Sequence, residues 1–118
     1  MDIVFYDACL MAMLEAVYAI HKGARYLIAS QNETWTSFPY DEYLREIASR
    51  RPVSQAAWIV NRHYASLSGY PRTMSALDLQ YSGKVIAALN DLTLALTDTL
   101  HTEDEKSRIY DVFLASQK

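Results

Sequence analysis

The sequence contains little of what marks the specialised classes of protein. Its 118 residues include one cysteine, three glycines and three prolines. A single cysteine cannot form an internal disulfide, so the chain is not a disulfide scaffold and nothing indicates an oxidising compartment. The low glycine and proline contents exclude a collagen-like repeat and a Pro/Gly-rich disordered tail. No apolar run reaches the roughly twenty residues that a membrane-spanning helix needs, so no membrane partner is predicted.

An excess of charge of one sign is also missing. Eleven basic and fourteen acidic residues leave a net charge of −3, and the basic residues form no run. Binding of nucleic acid through phosphate neutralisation is therefore not predicted. Asp2 stands where a signal peptide would carry a basic flank, so we predict no signal peptide. Because 51% of the residues are hydrophobic, we expect a soluble chain that folds around a real core.

The order of apolar patterns predicts an α/β fold. Residues 3–6 form a β-branched and aromatic run that is typical of a buried parallel strand. A helical period follows as far as Gly23, and a second strand is predicted over 25–29, which is the βαβ pattern of a parallel pair. Further helices are predicted over 41–49, from Pro52, after Asp78 and after Thr102, with a third strand over 74–77. We therefore expect a mostly parallel sheet of about three strands flanked by about five helices.

The helical spacing also predicts which side chains face the core. In the helix over 41–49 these are Tyr43, Leu44 and Ile47. In the helix that begins at Pro52 they are Val53, Ala57, Val60, Tyr64 and Leu67. The longest amphipathic stripe consists of Val85, Leu89, Leu92, Leu96 and Leu100.

Cys9 is the residue most suggestive of chemistry. It follows the first strand where the helical period begins, at the sheet edge where open α/β folds bind their ligands. The positive end of the helix and its unpaired N–H groups would favour the thiolate, which is the nucleophilic form. The other interpretation, which position alone favours, is a buried free cysteine that acts as a small hydrophobe.

Asp7 lies two residues before Cys9, so both side chains project to the same face if the strand continues that far. A carboxylate raises the pKa of a neighbouring thiol and does not activate it. Asp7 is better suited to anchor a basic group on a substrate. Its structural interpretation is a cap for the following helix, and the two roles are compatible.

None of the three histidines has the position that a thiol nucleophile requires of its base. His21 lies at the far end of the first helix, His63 on or near the polar face of its helix, and His101 at the end of the long helix. A hydrolase that uses His63 would need a rearranged helix. Trp35 and Phe38, in the loop after the second strand, either line a pocket or simply pack. The sequence contains no metal-ligand motif and no Gly-rich phosphate loop.

Four segments, in the correct order, resemble the clostripain family of cysteine peptidases. Residues 5–15 (FYDACLMAMLE) resemble the segment around that family's catalytic cysteine, and residues 26–31 (YLIASQ) resemble its next strand. Residues 38–41 (FPYD) are similar to its aromatic–Pro–Tyr–Asp motif, and residues 74–79 (MSALDL) to a later strand-to-helix junction. The resemblance covers most of the chain up to about residue 100.

The resemblance implies a caspase-like fold, which is a three-layer sandwich, and a cysteine endopeptidase that cleaves after Arg or Lys through a Cys–His dyad. Cys9 would be the nucleophile that forms a thioester, and its own N–H would contribute to the oxyanion hole. Asp7 would bind the basic side chain of the peptide substrate, in a pocket bordered by Glu33 and Thr34. Calcium is associated with some members, but no ligand set can be matched here.

The resemblance extends only to the second half of the catalytic domain. The family's catalytic histidine lies upstream of the cysteine, and this sequence has no counterpart to it. We therefore interpret residues 1–118 as one partial domain that is inactive alone and pairs with an upstream, histidine-bearing half. The open edge of the first strand would also allow self-association. The alternative is a non-catalytic interaction or assembly module that retains the fold. The resemblance also suggests a bacterial exported protein.

Overall fold

The computed structural model of the protein describes residues 1–34, 38–46, 51–66 and 73–116. These residues belong to two compact units, Met1–Ser82 and Gly83–Lys118. The first unit contains the sheet and three α-helices, and the second contains most of the fourth helix and all of the fifth. None of the described helices is both long and apolar enough to cross a membrane.

The described residues form three strands and five α-helices, which confirms the predicted α/β class. In chain order they are β1 (Ile3–Phe5), α1 (Leu14–Ile20), β2 (Tyr26–Ala29), α2 (Tyr40–Glu46), α3 (Pro52–Ser66), β3 (Ser75–Asp78), α4 (Ser82–Thr99) and α5 (Glu103–Ser116). A short 3₁₀ turn, Leu79–Tyr81, separates β3 from α4.

The sheet is mixed, with strand order β1-β2-β3. Strands β1 and β2 are parallel, with Val4 opposite Leu27, as the βαβ pattern predicts. Strand β3 runs antiparallel to β2, with Ala76 opposite Ile28. Of the two strand pairs in the described sheet, one is therefore parallel and the other antiparallel. The connection from β2 to β3 contains two helices, and β3 begins at Ser75, opposite the last residue of β2, Ala29. The next strand then runs in the opposite direction, whereas the single crossover helix of a βαβ unit gives a parallel strand.

The central strand β2 carries the core, because Leu27, Ile28 and Ala29 are all fully buried. One face of the sheet packs against side chains of α2 and α3 through a cluster that consists of Ile28, Phe38, Tyr43, Ala56, Ile59 and Met74. The other face packs against α1 and the 3₁₀ turn through Leu27, Ala29 and Leu79, with Val17 and Ile20 alongside. Helices therefore cover both faces of the sheet, as in a three-layer α/β sandwich.

The inner face of α3 differs from the one predicted. Its buried residues are Gln55, Ala56, Ile59 and His63, whereas Val53 is 55% exposed and Tyr64 42% exposed. Two polar residues, Gln55 and His63, lie in the buried stripe. The spacing of apolar residues therefore predicts a neighbouring face of the helix instead of the buried one. His63 is only 3% exposed, and its predicted position on or near the polar face is wrong. Leu67 lies outside the described residues.

The prediction for α2 is confirmed in one residue and wrong in another. Tyr43 is 4% exposed and belongs to the core, but Leu44 is 66% exposed. The helix ends at Glu46, and Ile47 lies outside the described residues. With two turns only, α2 presents one ring to the core and leaves its neighbour in the chain on the solvent side.

Three of the predicted helix starts are confirmed. Pro52 is the first residue of α3. The Asp78 carboxylate accepts a hydrogen bond of 3.1 Å from the Gln80 N–H, and so caps the turn that leads into α4. Thr102 and Glu105 form a capping box before α5, with reciprocal bonds of 3.0 and 3.3 Å. These local signals need no tertiary contact, which is why the sequence patterns place them correctly.

Candidate active site

Cys9 lies in the loop between β1, which ends at Phe5, and α1, which begins at Leu14. The N-cap of α1 is Met13, so the prediction that Cys9 meets the positive end of this helix is wrong. Leu10 turns the chain away from a helical path, because its φ of 60° lies in the left-handed region. The backbone of Leu10 is hydrogen-bonded to the loop after β2, because the Leu10 N–H donates to the Asn32 carbonyl at 3.2 Å.

The Cys9 thiol contacts Thr34 through three atoms. The Thr34 N–H donates a hydrogen bond to Sγ at 3.2 Å, and the Thr34 hydroxyl lies 3.5 Å from the same sulfur. The thiol in turn reaches the Thr34 carbonyl oxygen at 4.0 Å. The side chain of Cys9 is exposed, so its interpretation as a buried hydrophobe is wrong.

The hydrogen bonds from Thr34 lower the pKa of the Cys9 thiol below its ordinary value. The largest contribution comes from the Thr34 hydroxyl and the next from the Thr34 N–H, while the charge of Glu33 opposes them. Both donors favour the thiolate, because a hydrogen bond to the charged form stabilises it. The chain therefore presents an exposed thiol with increased thiolate character, which is the property that a nucleophilic cysteine requires.

The loop that carries Thr34 is held in place by the segment before β3. The hydroxyl of Ser30, a fully buried residue, donates to the Asn32 carbonyl at 2.8 Å and lies 2.8 Å from the Thr73 hydroxyl. The Asn32 N–H donates to the Thr73 hydroxyl at 2.9 Å. On the other side, the Ala12 N–H donates to the Ser30 carbonyl at 2.9 Å. The Cys9 loop and the Thr34 loop are thus joined at the carboxyl ends of two adjacent parallel strands.

Asp7 lies beyond the end of β1, although the Tyr6 N–H still donates to the Ile28 carbonyl of β2 at 2.9 Å. Its carboxylate accepts a hydrogen bond from the Tyr40 hydroxyl. Asp7 does not cap α1, whose N-cap residue is Met13 with no side-chain cap bond. The structural interpretation of Asp7 as a helix cap is therefore wrong, and its partner is an aromatic residue at the start of α2.

Two of the predicted pocket residues lie beside the thiol. Thr34 contacts Cys9 directly, and Glu33 precedes it with its N–H bonded to the Asn32 side chain at 2.8 Å. Asp7 belongs to the same loop as Cys9 but is engaged by Tyr40. Sequence reasoning missed both the thiol contact of Thr34 and the carboxylate contact of Tyr40, because neither follows a local spacing.

The histidines and loop aromatics occupy structural positions. His21 is the C-cap residue of α1 and stacks on Tyr18, while His63 is buried and stacks on Phe38 with ring centroids 5.2 Å apart. His101 lies between α4 and α5 in the second unit. Phe38 is 8% exposed and packs in the core, as its structural interpretation predicts. Trp35 lies outside the described residues.

An apolar groove of about 400 Å³ runs along β1 on the side of α2 and α3. Ile3, Phe5, Tyr40 and Tyr43 are among the residues that line it. β1 is also a sheet edge, because its only paired neighbour among the described strands is β2. The Tyr26 N–H donates to the Asp2 carbonyl, and the Tyr6 N–H donates to the Ile28 carbonyl. In a parallel pair, alternate residues of a strand direct their N–H and C=O groups to the same neighbour. The backbone groups of Ile3 and Phe5 therefore point away from β2, to the open side of the sheet.

Among the residues that the structure describes, no three His, Cys, Asp or Glu side chains lie close enough together to hold a metal ion. Of the four predicted site residues, Cys9 and Thr34 are in direct contact, Glu33 precedes Thr34, and Asp7 lies two residues before Cys9 in the same loop.

The chain is similar to known proteins in sequence and in fold. The sequence model described as the clostripain family matches residues 1–117. No curated protein sequence matches the chain. A solved structure of a Bacteroides fragilis cysteine protease superposes with a TM-score of 0.54 at 19% sequence identity. The match covers 84% of this chain but only 43% of that protein, so this chain spans less than half of its length. At this identity the likeness shows a shared fold.

Proposed function

Because the chain belongs to the clostripain family, we propose that it is the nucleophile-bearing part of a cysteine endopeptidase that cleaves after Arg or Lys. The observation that carries the proposal is the Cys9 thiol, which is exposed and accepts a 3.2 Å hydrogen bond from the Thr34 N–H. A thiol held in this way has the lowered pKa of a nucleophile and the access that a peptide needs.

In the proposed reaction the Cys9 sulfur attacks the carbonyl carbon after the basic residue. The Cys9 N–H then donates to the oxyanion of the tetrahedral intermediate. Collapse of the intermediate breaks the peptide bond and forms a thioester, and the leaving amine takes the proton that a histidine has received from the thiol. Water attacks the thioester with the same histidine as base, which releases the acid and restores the thiol.

Asp7 is the proposed anchor for the basic side chain of the substrate. Its carboxylate is exposed at the same sheet edge as Cys9, and it is two residues away in the same loop. A carboxylate pairs with guanidinium or ammonium through charge-assisted hydrogen bonds. Glu33 and Thr34 border the proposed pocket from the adjacent loop, and Thr34 also holds the thiol.

The histidine of the dyad is proposed to come from a chain segment outside these 118 residues. His21 and His63 have structural partners, Tyr18 and Phe38, and the contacts of Cys9 are made with Thr34. The Bacteroides fragilis cysteine protease is longer, since this chain spans 43% of it. The open edge of β1 offers backbone groups to such a segment or, in its absence, to a second copy of this chain.

The test is cleavage of fluorogenic peptides that differ only in Arg, Lys or norleucine before the scissile bond. The chain is assayed alone and together with a polypeptide that supplies the preceding strand and histidine, with and without calcium. We expect turnover of the Arg and Lys peptides by the pair, none by the chain alone, and none by the pair with Cys9→Ala.

Two outcomes would contradict the proposal. Strong Cys9-dependent turnover by the isolated chain would show that the histidine is not supplied from outside. A pair that assembles, yet neither cleaves nor reacts at Cys9 with an Arg-directed covalent inhibitor, would instead favour the non-catalytic interaction module.

A further inference from the structure

We infer that Tyr40 is a positioning residue for Asp7, and that its hydroxyl shifts the preference of the pocket from arginine towards lysine. The inference rests on the proposed function, in which the Asp7 carboxylate receives the basic side chain of the substrate. It concerns how that carboxylate is presented, and it starts from the hydrogen bond that the Tyr40 hydroxyl donates to Asp7 Oδ2.

The Tyr40 ring is fixed by its aromatic neighbours. It packs edge-to-face against Phe5 and Tyr43, with centroids 6.2 and 6.1 Å apart, and lies tilted against Phe38 at 5.9 Å. Phe38 and Tyr43 are buried in the core, and Phe5 belongs to β1. The Tyr40 N–H also donates to the Phe38 carbonyl at 2.9 Å. The hydroxyl is therefore presented by a rigid support, although the carboxylate that it bonds belongs to an exposed loop residue.

The hydroxyl remains a hydrogen-bond donor throughout the pH range in which a peptidase is assayed. Burial first, and then the bond to Asp7, raises the pKa of Tyr40 to about 12. Asp7 itself lies two residues past the end of β1, where no strand pairing fixes its side chain. Tyr40 thus selects one orientation of an exposed carboxylate, which lowers the entropy that substrate binding would otherwise cost.

The bond to Oδ2 affects the two basic side chains differently. A guanidinium is a planar fork that binds best when both oxygens of a carboxylate accept from it. An ammonium is a compact charge that a single oxygen can receive. Because the Tyr40 hydroxyl already occupies part of Oδ2, Asp7 offers Oδ1 fully and Oδ2 only partly to a substrate. The preference for lysine over arginine should therefore be greater than it would be if the Asp7 carboxylate had no such hydrogen bond.

The test measures the alkylation of Cys9 in the 118-residue chain, which requires no turnover. Peptidyl chloromethyl ketones that carry Lys, Arg or norleucine next to the reactive group are compared, and each rate is divided by the rate with iodoacetamide on the same variant. The variants are Asp7→Asn, Tyr40→Phe and Tyr43→Phe. Tyr43→Phe is the matched control, because it removes a hydroxyl from the same aromatic cluster that has no hydrogen-bond partner among the described residues.

We expect Tyr40→Phe to lower the Lys-to-Arg ratio of rates by about fivefold, the effect of one hydrogen bond worth about 1 kcal/mol. Tyr43→Phe should leave the ratio unchanged. Asp7→Asn should abolish the preference for both basic reagents over norleucine. Tyr40→Phe retains the ring and its packing, so circular dichroism should show an unchanged fold.

The outcomes separate the inference from the proposed function. If Asp7→Asn abolishes the basic preference but Tyr40→Phe leaves the Lys-to-Arg ratio as it was, Tyr40 only packs and the inference is wrong. It is equally wrong if Tyr43→Phe moves the ratio as far as Tyr40→Phe. If Asp7→Asn leaves the basic preference intact, the proposed role of Asp7 fails, and the role of Tyr40 fails with it.

Discussion

At the scale of single residues, the lowered pKa of the Cys9 thiol comes chiefly from one neighbour. Thr34 supplies both a hydroxyl and a backbone N–H to the sulfur, and the hydroxyl makes the larger contribution to the lowered pKa. Cys9 is not in the first turn of α1, because that helix begins five residues after it. The two Thr34 donors can be separated experimentally, since substitution removes the hydroxyl and leaves the N–H.

We predict that Thr34→Val raises the pKa of the Cys9 thiol towards its ordinary value. Valine keeps the shape and the N–H bond but cannot donate from its side chain, so less thiolate is present at neutral pH. The rate of iodoacetamide alkylation, followed as a function of pH, should therefore have its midpoint at higher pH than in the unsubstituted chain.

Thr34→Ser is the control for this prediction, because it retains the hydroxyl and should retain the lowered midpoint. Equal midpoints for Thr34→Val and the unsubstituted chain would show that the N–H bond alone accounts for the lowered pKa. At pH values well above both midpoints the thiol is fully ionised in both proteins, and Thr34→Val should react at least as fast as the unsubstituted chain, because a thiolate of higher pKa is the stronger nucleophile.

At the scale of the elements, the site is an arrangement of loops that β1, β2 and β3 bring to one region of the sheet. The Cys9 loop pairs with the loop after β2 through Leu10 and Ala12, and Ser30 joins that second loop to Thr73. The segment that precedes β3 therefore supports the loop that holds Thr34 against the sulfur, through Thr73.

We predict that Ser30→Ala destabilises the chain by about 1 kcal/mol, because an intramolecular hydrogen bond contributes about 0.5–1.5 kcal/mol to stability. Ser30 is fully buried, and its hydroxyl meets the Asn32 carbonyl, the Asn32 N–H and the Thr73 hydroxyl. Denaturant unfolding measures the change. Alkylation of Cys9 at neutral pH should also become slower, because a looser loop holds Thr34 less firmly against the thiol.

Ser54→Ala is the matched control. Ser54 is exposed on α3, so its substitution should change the free energy of unfolding by no more than about 0.5 kcal/mol and leave the alkylation rate unchanged. A Ser30→Ala variant as stable and as reactive as the control would contradict the role assigned to the Ser30 hydroxyl.

The elements also show what can be predicted from a single sequence. Local signals were sufficient for the ends of α3 and α5, because Pro52 and the Thr102–Glu105 box act within one turn of chain. The buried stripe of α3 was not predictable from apolar spacing, since Gln55 and His63 lie in it. Cys9 could be singled out from its place after the first strand, but its environment depends on Leu10 at φ 60° and on a loop 25 residues away.

At the scale of the whole molecule, the β1 edge is a surface suited to pairing with another strand, because β1 pairs only with β2 among the described strands. Ile3 and Phe5 direct their backbone groups to the open side of the sheet, beside an apolar groove of about 400 Å³. An unpaired edge with an apolar flank is a template for strand addition. The same edge is proposed above to accept the segment that supplies the histidine, so self-association and assembly would compete for it.

We predict that the isolated chain self-associates through this edge, and that Ile3→Pro weakens the association at least tenfold, by loss of about 1.4 kcal/mol or more. Proline removes the Ile3 N–H, which points outward, while β1 remains bonded to β2 through the Asp2 carbonyl and the Tyr6 N–H. Ile3→Val keeps the N–H and reduces the apolar side chain, so it is the control and should associate nearly as strongly as the unsubstituted chain. Sedimentation equilibrium over a range of concentrations measures the association of both variants, and circular dichroism verifies their fold.

Equal association of the proline and valine variants would place the contact elsewhere on the molecule. If a histidine-bearing segment assembles with the chain and the oligomer does not dissociate, then the segment and the second copy of the chain do not share the β1 edge.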